Sequence, residues 1–343
     1  MAAAGNDGAG DTAGLVCVTG GSGFIGSWLV RLLLARGYTV HATVKNLQIR
    51  SKTFVAEDEG ETRHLQALDG AGARLRLFEM DLVDPASVRR AVDGVRGVFH
   101  LASPMMLQAQ DPERELLDPA LKGTLNVLRA AKDCGVGRVV LMSSQAAMAP
   151  NPSWPADKVI DDDSWADVDV LKKLQLWYNV SKTLAEKAAW DFAGEEGLQL
   201  VVLNPGMVLG PFLTPSVNAS LHLLLQLLQG ERLELDAFYM GSVDVRDVAH
   251  SLIALYENQS AQGRHLCMES VERLVDFTDK IADLYPDLPV QRILDDKQSW
   301  VVRAKDPSKK LIDLGVRFTP FDKTIRDTVN CFRSKALIEH ASM

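Results

Sequence analysis

The sequence predicts an α/β protein built on a doubly wound parallel sheet, with a smaller C-terminal lobe. Two observations carry this prediction. Short apolar segments alternate with helix-like segments over most of the first 204 residues, and the first apolar segment runs directly into a glycine-rich turn. Such alternation is typical of right-handed crossovers between parallel strands. The 343 residues are enough for one such domain and a second, smaller unit.

The alternation defines six strands with helices between them. The predicted strands are 15–19, 38–44, 75–80, 97–102, 138–142 and 198–203. The most regular helix-like segments are 24–35, 85–92, 117–132 and 176–192.

After Asn204 the alternation gives way to loops, an apolar helix and strand-like pieces near 234–244 and 264–268. This change predicts the domain organisation. We expect a flexible tail, a nucleotide-binding domain and a mainly substrate-binding lobe, from which a segment at about 241–258 returns to the nucleotide-binding domain. These three regions are 1–14, 15–204 and 205–343.

The composition narrows the class of partner. With 37 Lys and Arg against 45 Asp and Glu, the net charge of −8 disfavours nucleic acid and favours a small molecule. The four cysteines have no CxxC or CxxH spacing, so we expect reduced thiols and neither a disulfide framework nor a metal site.

The first residues lack the features of a signal or transit peptide, and the apolar run 221–229 is too short to span a bilayer. We expect a cytoplasmic protein with no membrane partner; its oligomeric state is not predicted.

The first strand ends in TGGSGFIG, which places Gly20, Gly23 and Gly26 at a strand-to-helix turn. Glycines allow a tight turn and close approach of the backbone to a pyrophosphate. The amides at the start of the next helix, at Phe24 and Ile25, supply donors and a favourable dipole. This pattern predicts a Rossmann-type dinucleotide site. A purely packing role for the glycines is the alternative.

The end of the second strand distinguishes NAD from NADP, because an acidic residue there would bind the ribose hydroxyls and repel a 2′-phosphate. The chain has Lys45 at this point, which predicts NADPH, with Arg50 or Lys52 as helpers. An exposed loop lysine without a ligand is the alternative. The ends of the next two strands are expected to meet the adenine and the nicotinamide side, through Asp81, Leu82, Leu101, Ala102 and Ser103.

Tyr178 and Lys182 lie one helical turn apart, so their side chains share a helix face. A neighbouring ammonium favours the phenolate form of a tyrosine, and the same lysine can hydrogen-bond the nicotinamide ribose. A serine after the fifth strand can donate to a substrate oxygen on which negative charge develops. Strand alternation does not decide between Ser143 and Ser144. Tyrosine and lysine at this spacing are commonly surface residues; their order after the glycine turn and the serine predicts a catalytic role.

With these segments identified, the chain resembles the plant cinnamoyl-CoA reductase and dihydroflavonol reductase branch of the extended short-chain dehydrogenases. Besides TGGSGFIG and the Tyr178-xxx-Lys182 pair, the resemblance rests on GVFHLASP, GTLNVLRAA, VSKTLAEKAAW, LNPGMVLGPFLTPSVNAS and VDVRDVA. It covers nearly the whole chain after the tail. It implies an NADPH-dependent reduction in which hydride passes from the nicotinamide to a carbonyl carbon and Tyr178 protonates the oxygen. It also implies that Ser144 is the catalytic serine.

The resemblance implies further site residues. Ser216 is expected to reach the cofactor. Asn126 is expected either to order the active-site helix or a water, or to be structural. The residues expected to border the nicotinamide are Pro205, Gly206, Met207 and Val208.

Three features depart from the usual pattern of this branch. The tyrosine lies in LWYNVSK, where cinnamoyl-CoA reductases carry NWYCYGK; Lys45 replaces the usual arginine; and the segment 46–62 is longer than usual.

A methionine-rich pocket is expected by position and resemblance, and methionine adapts to flat rings. For each residue of this pocket, the alternative interpretation is that it packs in the core. The pocket residues are Met105, Met106, Gln145, Met148, Met207, Asn218, Leu221, Phe238 and Tyr239.

The predicted function is NADPH-dependent reduction of a phenylpropanoid-type carbonyl, which implies a place in lignin biosynthesis. A hydroxycinnamaldehyde is placed ahead of a hydroxycinnamoyl-CoA, and a dihydroflavonol-like ketone third. A thioester would need basic groups at the pocket mouth, for which the chain offers Arg303, Lys305, Lys309 and Lys310. A nucleotide-sugar epimerase or dehydratase of the same fold and a non-catalytic NADP-sensing protein are the alternatives.

Overall fold

The computed structural model describes residues 14–45, 61–104, 110–151, 153–155, 158–231, 239–293, 303–304 and 306–338. The strands are β1 (Leu15–Thr19), β2 (Thr39–Val44), β3 (Leu75–Glu79), β4 (Gly97–His100), β5 (Arg138–Met142), β6 (Val159–Ile160), β7 (Leu200–Pro205), β8 (Met207–Leu209), β9 (Tyr239–Asp244), β10 (Gly263–Cys267), β11 (Ser270–Arg273) and β12 (Arg303–Ala304).

The helices are α1 (Phe24–Ala35), α2 (Arg63–Gln66), α3 (Ala71–Arg74), α4 (Pro85–Val92), α5 (Asp118–Asp133), α6 (Val168–Lys173), α7 (Trp177–Glu196), α8 (Ala219–Leu228), α9 (Val245–Glu257), α10 (Leu274–Leu284), α11 (Lys309–Asp313) and α12 (Phe321–Ser334). A π-helical turn, Glu113–Leu117, leads into α5, and a 3-10 turn, Gln145–Ala147, follows β5.

Seven parallel strands form the main sheet in the order β3-β2-β1-β4-β5-β7-β10. The chain winds outward from β1 in one direction to β3 and then from β4 in the other direction. The order therefore reverses between β1 and β4, and ligands of doubly wound sheets bind at the carboxyl ends of the strands at this point.

Helices cover both faces of the sheet. α1 and α9 pack together on one face, and α4, α5 and α7 pack on the other. Local signals set several helix ends: Asp84 caps α4 by accepting from the amides of Ala86 and Ser87, and Gly197 ends α7 with a φ of 64°. The apolar core beneath α1 and α9 continues into α8, α10 and α12, so the second lobe shares one core with the sheet.

The VDVRDVA segment ties the second lobe to the main sheet. Asp244 caps α9 and pairs with Arg246, which also pairs with Asp327 of α12 at 2.6 Å. Asp247 accepts from the backbone amide of Thr319 at 2.6 Å. The polar residues of this motif therefore connect α9, which lies on the sheet, with the start and middle of α12.

The six predicted strands are all present in the main sheet, but one further strand joins them. The segment 264–268 is predicted as a strand-like piece of the lobe, whereas Gly263–Cys267 forms the outermost strand, β10, parallel to β7. The chain reaches this edge because α9 returns it to the sheet face beside α1. A smaller sheet, β11-β9-β8, and the β12-β6 pair complete the strands.

Within the described ranges, no helix combines the length and the apolar character needed to cross a bilayer.

Candidate active site

The glycine turn after β1 packs too closely on its neighbours for side chains. Gly20 has a φ of +69°, and a Cβ there would lie 3.2 Å from the Cα of Ala102, beyond the end of β4. A Cβ on Gly26 would lie 2.2 Å from the carbonyl oxygen of Gly20. The Gly20 amide donates to Oγ1 of Thr43 on β2 at 2.9 Å. The glycines therefore bring the ends of β1, β2 and β4 together around bare backbone.

This cradle fits the pyrophosphate of a dinucleotide. Gly23 is the N-cap of α1 and provides no side-chain cap. The amides of the first helical turn, which include those of Phe24 and Ile25, have no intrahelical acceptor. Together with the positive end of the helix dipole, they form an anion site where the strand order reverses.

The hydroxyl of Thr19, oriented by the buried His100, holds the backbone on the β4 side of the cleft. Oγ1 of Thr19 accepts from the amides of Leu101 and Ala102, each at 3.0 Å. Both its lone pairs are then used, so its hydroxyl donates to Nδ1 of His100 at 2.9 Å. Nε2 of His100 must carry the proton and donates to Oγ1 of Thr124 at 3.3 Å. Two of the predicted nicotinamide-side residues are thus positioned by an imidazole that is neutral.

Burial and the charge of Lys182 lower the pKa of His100 to about 3. The imidazole therefore remains neutral throughout the physiological range, as its hydrogen bonds require.

The adenosine side of the cleft is more open. Lys45 directly follows β2 and is exposed. Asp81 is exposed and accepts from the amide of Val83 at 3.0 Å. Leu82 packs against Gly123 of α5, where a Cβ would lie 2.8 Å from that of Leu82. The expected helpers Arg50 and Lys52 lie outside the described residues.

Glu61 is a residue that the sequence reasoning missed at this end. Its Oε1 accepts from the hydroxyl of Ser22, inside the glycine turn, at 2.8 Å. No local pattern indicates that a residue near the end of the long segment 46–62 reaches back to the turn. A carboxylate is therefore hydrogen-bonded to the glycine turn itself.

Ser144, Tyr178 and Lys182 meet at the carboxyl edge of β5. Ser144 caps the 3-10 turn that follows this strand, with its Oγ accepting from the amide of Ala146 at 3.1 Å. The Tyr178 hydroxyl lies close enough to that of Ser144 for the serine to act on its pKa. Lys182 lies one turn along α7 with its Nζ 5.9 Å from the centre of the Tyr178 ring, and the lysine is 7% exposed.

The electrostatics of this trio differ from the expectation in one respect. Burial raises the pKa of Tyr178 and outweighs the opposing hydrogen bond from Ser144. The sequence reasoning expected the ammonium of Lys182 to favour the phenolate, but the cost of burying a charge dominates. Burial likewise lowers the pKa of Lys182 to about 8, against the attraction of Glu186. At neutral pH the tyrosine therefore keeps its proton and the lysine remains mostly cationic.

The structure distinguishes the two serines. Ser143 is buried, and its hydroxyl donates to Oε2 of the buried Glu186 at 2.5 Å. Glu186 also pairs with Arg264 of β10 through Nε at 2.5 Å. The sequence reasoning missed both charged residues, because 78 positions separate them and nothing local links them.

The other expected cofactor residues lie beyond the end of β7. Pro205 and Val208 are buried, whereas Gly206 and Met207 are partly exposed. A Cβ on Gly206 would lie 2.2 Å from a backbone oxygen of β9, so this position has no room for a side chain. Ser216 is exposed.

Two residues near these have smaller roles in the geometry. Asn126 donates to the carbonyl of Leu82 at 3.0 Å, which agrees with its structural alternative. Ser103 is partly exposed after β4, and its hydroxyl lies 3.5 Å from the carbonyl oxygen of Pro104.

The expected pocket is only partly assembled. Met148 and Leu221 are both 0% exposed and belong to apolar clusters, which favours the alternative interpretation of these two as core residues. Asn218 uses its Oδ1 to cap α8 through the Leu221 amide at 3.1 Å. Gln145 is partly exposed, with its Oε1 close to Gly241 of β9.

The remaining predicted residues belong to the pocket and to the late basic cluster. Tyr239 begins β9. Met105, Met106, Phe238 and Lys305 lie outside the described residues. Of the late basic cluster, Lys309 pairs with Asp313 at 2.7 Å and Lys310 with Asp162 at 3.4 Å.

Comparison with known proteins decides the family. Residues 16–267 match the profile of the NAD dependent epimerase/dehydratase family. The chain belongs to this family. It is 43% identical to cinnamoyl-CoA reductase CAD2 of Medicago truncatula over 94% of this chain and 96% of that protein.

Two solved structures of reductases are similar to this epimerase/dehydratase family member. Vestitone reductase from alfalfa (Medicago sativa L.) has a TM-score of 0.78 and 31% identity, covering 94% of this chain and 99% of that one. Yeast methylglyoxal/isovaleraldehyde reductase Gre2, complexed with NADPH, has a TM-score of 0.77 and 25% identity, covering 94% and 100%. The comparisons confirm the expected branch, the fold class and the assignment as an NADPH-dependent oxidoreductase.

Proposed function

We propose that this enzyme reduces a small phenylpropanoid-type aromatic carbonyl with NADPH, in the cytoplasm, and that Ser144, Tyr178 and Lys182 perform the chemistry. The observation that carries the proposal is that Ser144, at the end of β5, and Tyr178 stand beside the buried Lys182, at the same sheet edge as the glycine cradle. The four free cysteines are compatible with a reducing compartment.

Each of the three side chains has a task that its environment supports. The nicotinamide, when bound, supplies the hydride. Tyr178, whose pKa is raised by burial, holds a proton at neutral pH and donates it to the carbonyl oxygen. The Ser144 hydroxyl donates a hydrogen bond to the same oxygen as it becomes negative. The ammonium of Lys182 stabilises the phenolate that remains after the transfer.

The cofactor is proposed to lie across the strand ends, with its pyrophosphate on the turn between β1 and α1. Lys45 is the proposed partner of the 2′-phosphate. The remaining proposed contacts are Gly20, Gly23, Phe24, Ile25, Gly26, Lys52, Asp81, Leu82, Leu101, Ala102, Ser103, Pro205, Gly206, Met207, Val208 and Ser216.

For the substrate, we place a hydroxycinnamaldehyde ahead of a hydroxycinnamoyl-CoA. The ion pairs of Lys309 and Lys310 support this order, because they leave these two ammonium groups already neutralised by carboxylates. The thioester is the second candidate, and the observation that favours it is the 43% identity to a cinnamoyl-CoA reductase. A dihydroflavonol-like ketone is third.

The test follows NADPH consumption with one substrate of each class and compares wild type with Tyr178→Phe. We expect turnover of the aldehyde, and a fall in kcat/KM of about 10²–10⁴-fold in the variant because the proton donor is lost. Tyr38→Phe is the matched control, since that hydroxyl is bonded to Glu257 on the surface, and it should keep wild-type activity.

Three results would overturn parts of the proposal. Turnover of the thioester alone reverses the substrate order. Equal activity of wild type and Tyr178→Phe removes the catalytic assignment. Tightly retained NAD in the purified protein, without carbonyl turnover, favours an epimerase or dehydratase.

A further inference from the structure

A buried carboxylate lies directly behind the proposed catalytic trio. Glu186 follows Lys182 by one turn of α7 and is 1% exposed. Its Oε2 accepts from the hydroxyl of Ser143 at 2.5 Å and from Nδ2 of Asn204 at 2.9 Å. Its Oε1 accepts from Nε of Arg264 at 2.5 Å. A carboxylate buried this completely is tolerated because it is paired and hydrogen-bonded.

The arginine that pairs with it is fixed from the other side. The Arg264 guanidinium stacks on the ring of Trp165, with Cζ 3.8 Å from the ring centre. It also donates to the backbone carbonyls of Asp162 and Ser164. The pair therefore connects α7 with β10, the strand at the edge of the main sheet, and with the segment before α6.

The network reaches the active-site backbone at two points. Ser143, held by Glu186, is the residue immediately before Ser144. Asn204, at the end of β7, uses its Nδ2 to bond both Glu186 and the carbonyl oxygen of Ser144, the latter at 3.2 Å. A shift of the carboxylate would therefore move the backbone that carries the Ser144 hydroxyl.

The same carboxylate contributes to the charge around Lys182. The titratable groups that face this lysine are Glu186 and Tyr178 from its own helix and His100 from β4. The imidazole is neutral, and the tyrosine keeps its proton at neutral pH. Among the described residues, Glu186 is then the carboxylate whose charge acts on Lys182, and the same carboxylate is paired with Arg264.

We propose that Glu186 and Arg264 are positioning residues of the active site, which hold the Ser143–Ser144 turn and set the charge environment of Lys182. The inference rests on the proposed function for its catalytic consequences. The geometry behind it is independent of the substrate: Glu186 of the buried ion pair is hydrogen-bonded to Ser143, just after β5, and to Asn204 of β7.

The test separates charge from position with three variants. Glu186→Gln removes the negative charge and leaves that of Arg264, so the pKa of Lys182 should fall by roughly one unit. The double variant Glu186→Gln/Arg264→Met removes both charges and should give a pKa between those of Glu186→Gln and wild type. Glu186→Asp keeps the charge but moves the carboxylate, so it should retain the wild-type pKa and lose roughly tenfold in kcat through misplacement of Ser144.

Two measurements are compared. The first is NMR titration of ¹³C-labelled lysines, with the Lys182 signal assigned by its loss in Lys182→Arg; it needs no turnover. The second is the alkaline limb of the kcat/KM profile, which should move with the pKa of Lys182. If the titrations move as expected while no variant and no wild type reduces a carbonyl, the proposed function fails and the positioning role of the charge stands.

Asp327→Asn is the matched control, because it breaks another arginine–carboxylate pair, with Arg246. It should lower thermal stability without moving the titration of Lys182. An unshifted Lys182 in folded Glu186→Gln, or an equal shift in Asp327→Asn, would overturn the proposal. If Glu186→Gln does not fold, the double variant, which removes both charges of the Glu186–Arg264 pair, carries the test: its Lys182 must titrate below that of Glu186→Asp.

Discussion

The two ends of the proposed cofactor cleft are built differently. At the hydride end, the polar groups Lys182, Glu186 and His100 are almost completely buried, and each has a defined partner or charged neighbour. At the adenosine end, Lys45 is exposed and Glu61 is partly exposed. The protein therefore surrounds the proposed reacting atoms with fixed dipoles and charges, while the recognition of the adenosine phosphate relies on groups in contact with water.

This difference has an energetic consequence. Charges act more strongly in a low-dielectric interior than at a surface, where water and salt screen them. Removing one member of a buried network also leaves its partner unsatisfied. Substitutions at the hydride end that remove a group acting on the reacting atoms should therefore have effects of orders of magnitude, and substitutions at the adenosine end effects of a few-fold.

After Tyr178→Phe, the largest expected effect contrasts the two adjacent serines. Ser144→Ala should lower kcat by about 10²–10³-fold, because a donor to the developing negative charge is lost. Ser143→Ala removes only the hydrogen bond to Glu186 and should lower kcat by less than about tenfold. Steady-state kinetics of both variants measure this contrast. A larger loss in Ser143→Ala would exchange the roles of the two serines.

The two serines also illustrate what the sequence can predict. The strand–turn–helix order located both at the sheet edge, but it could not decide which hydroxyl faces the cleft, because that depends on Glu186 and Arg264 from distant parts of the chain. The glycine turn was predictable to the residue, since it is a local motif that needs only its own backbone. The raised pKa of Tyr178 was not, because burial depends on packing that residue spacing does not encode.

The second lobe was harder to predict for the same reason. The sequence predicts strand-like pieces after Asn204. Residues 263–267 join the main sheet because α9 returns the chain to it, and local sequence does not encode that return. Met148 and Leu221 have the apolar character of pocket residues, and only the three-dimensional packing reveals that they are core.

A smaller effect should appear in the pH dependence of stability, through His100. Its pKa is about 3 in the folded protein and 6.5 in the unfolded reference, so the unfolded chain binds the additional proton as the pH falls below 6.5. Its contribution is complete above this value and should fall by about 2 kcal/mol between pH 6.5 and pH 5. Urea unfolding of wild type and His100→Asn over this range measures the difference in slope.

The control for this comparison is Thr124→Val, which removes the partner of Nε2 but keeps the histidine. It should lower the free energy of unfolding at pH 7 and retain a wild-type dependence on pH. An unchanged slope in His100→Asn would contradict a neutral, buried imidazole and would weaken the contrast between the two ends of the cleft.

The smallest expected effect lies at the adenosine end, at Glu61. Its carboxylate is held on the glycine turn by Ser22 and should oppose a 2′-phosphate. Glu61→Gln should therefore lower the Kd for NADPH by roughly three- to tenfold, and Lys45→Gln should raise it by a similar factor, because partly exposed charges interact weakly. Neither variant should change the Kd for NADH, and both effects should shrink at high salt.

Asp69→Asn, which removes an exposed acid from the same part of the chain, controls for net charge. Fluorescence titration with both cofactors measures these constants; equal changes for NADPH and NADH would show that Glu61 acts on the glycine turn itself and not on the phosphate.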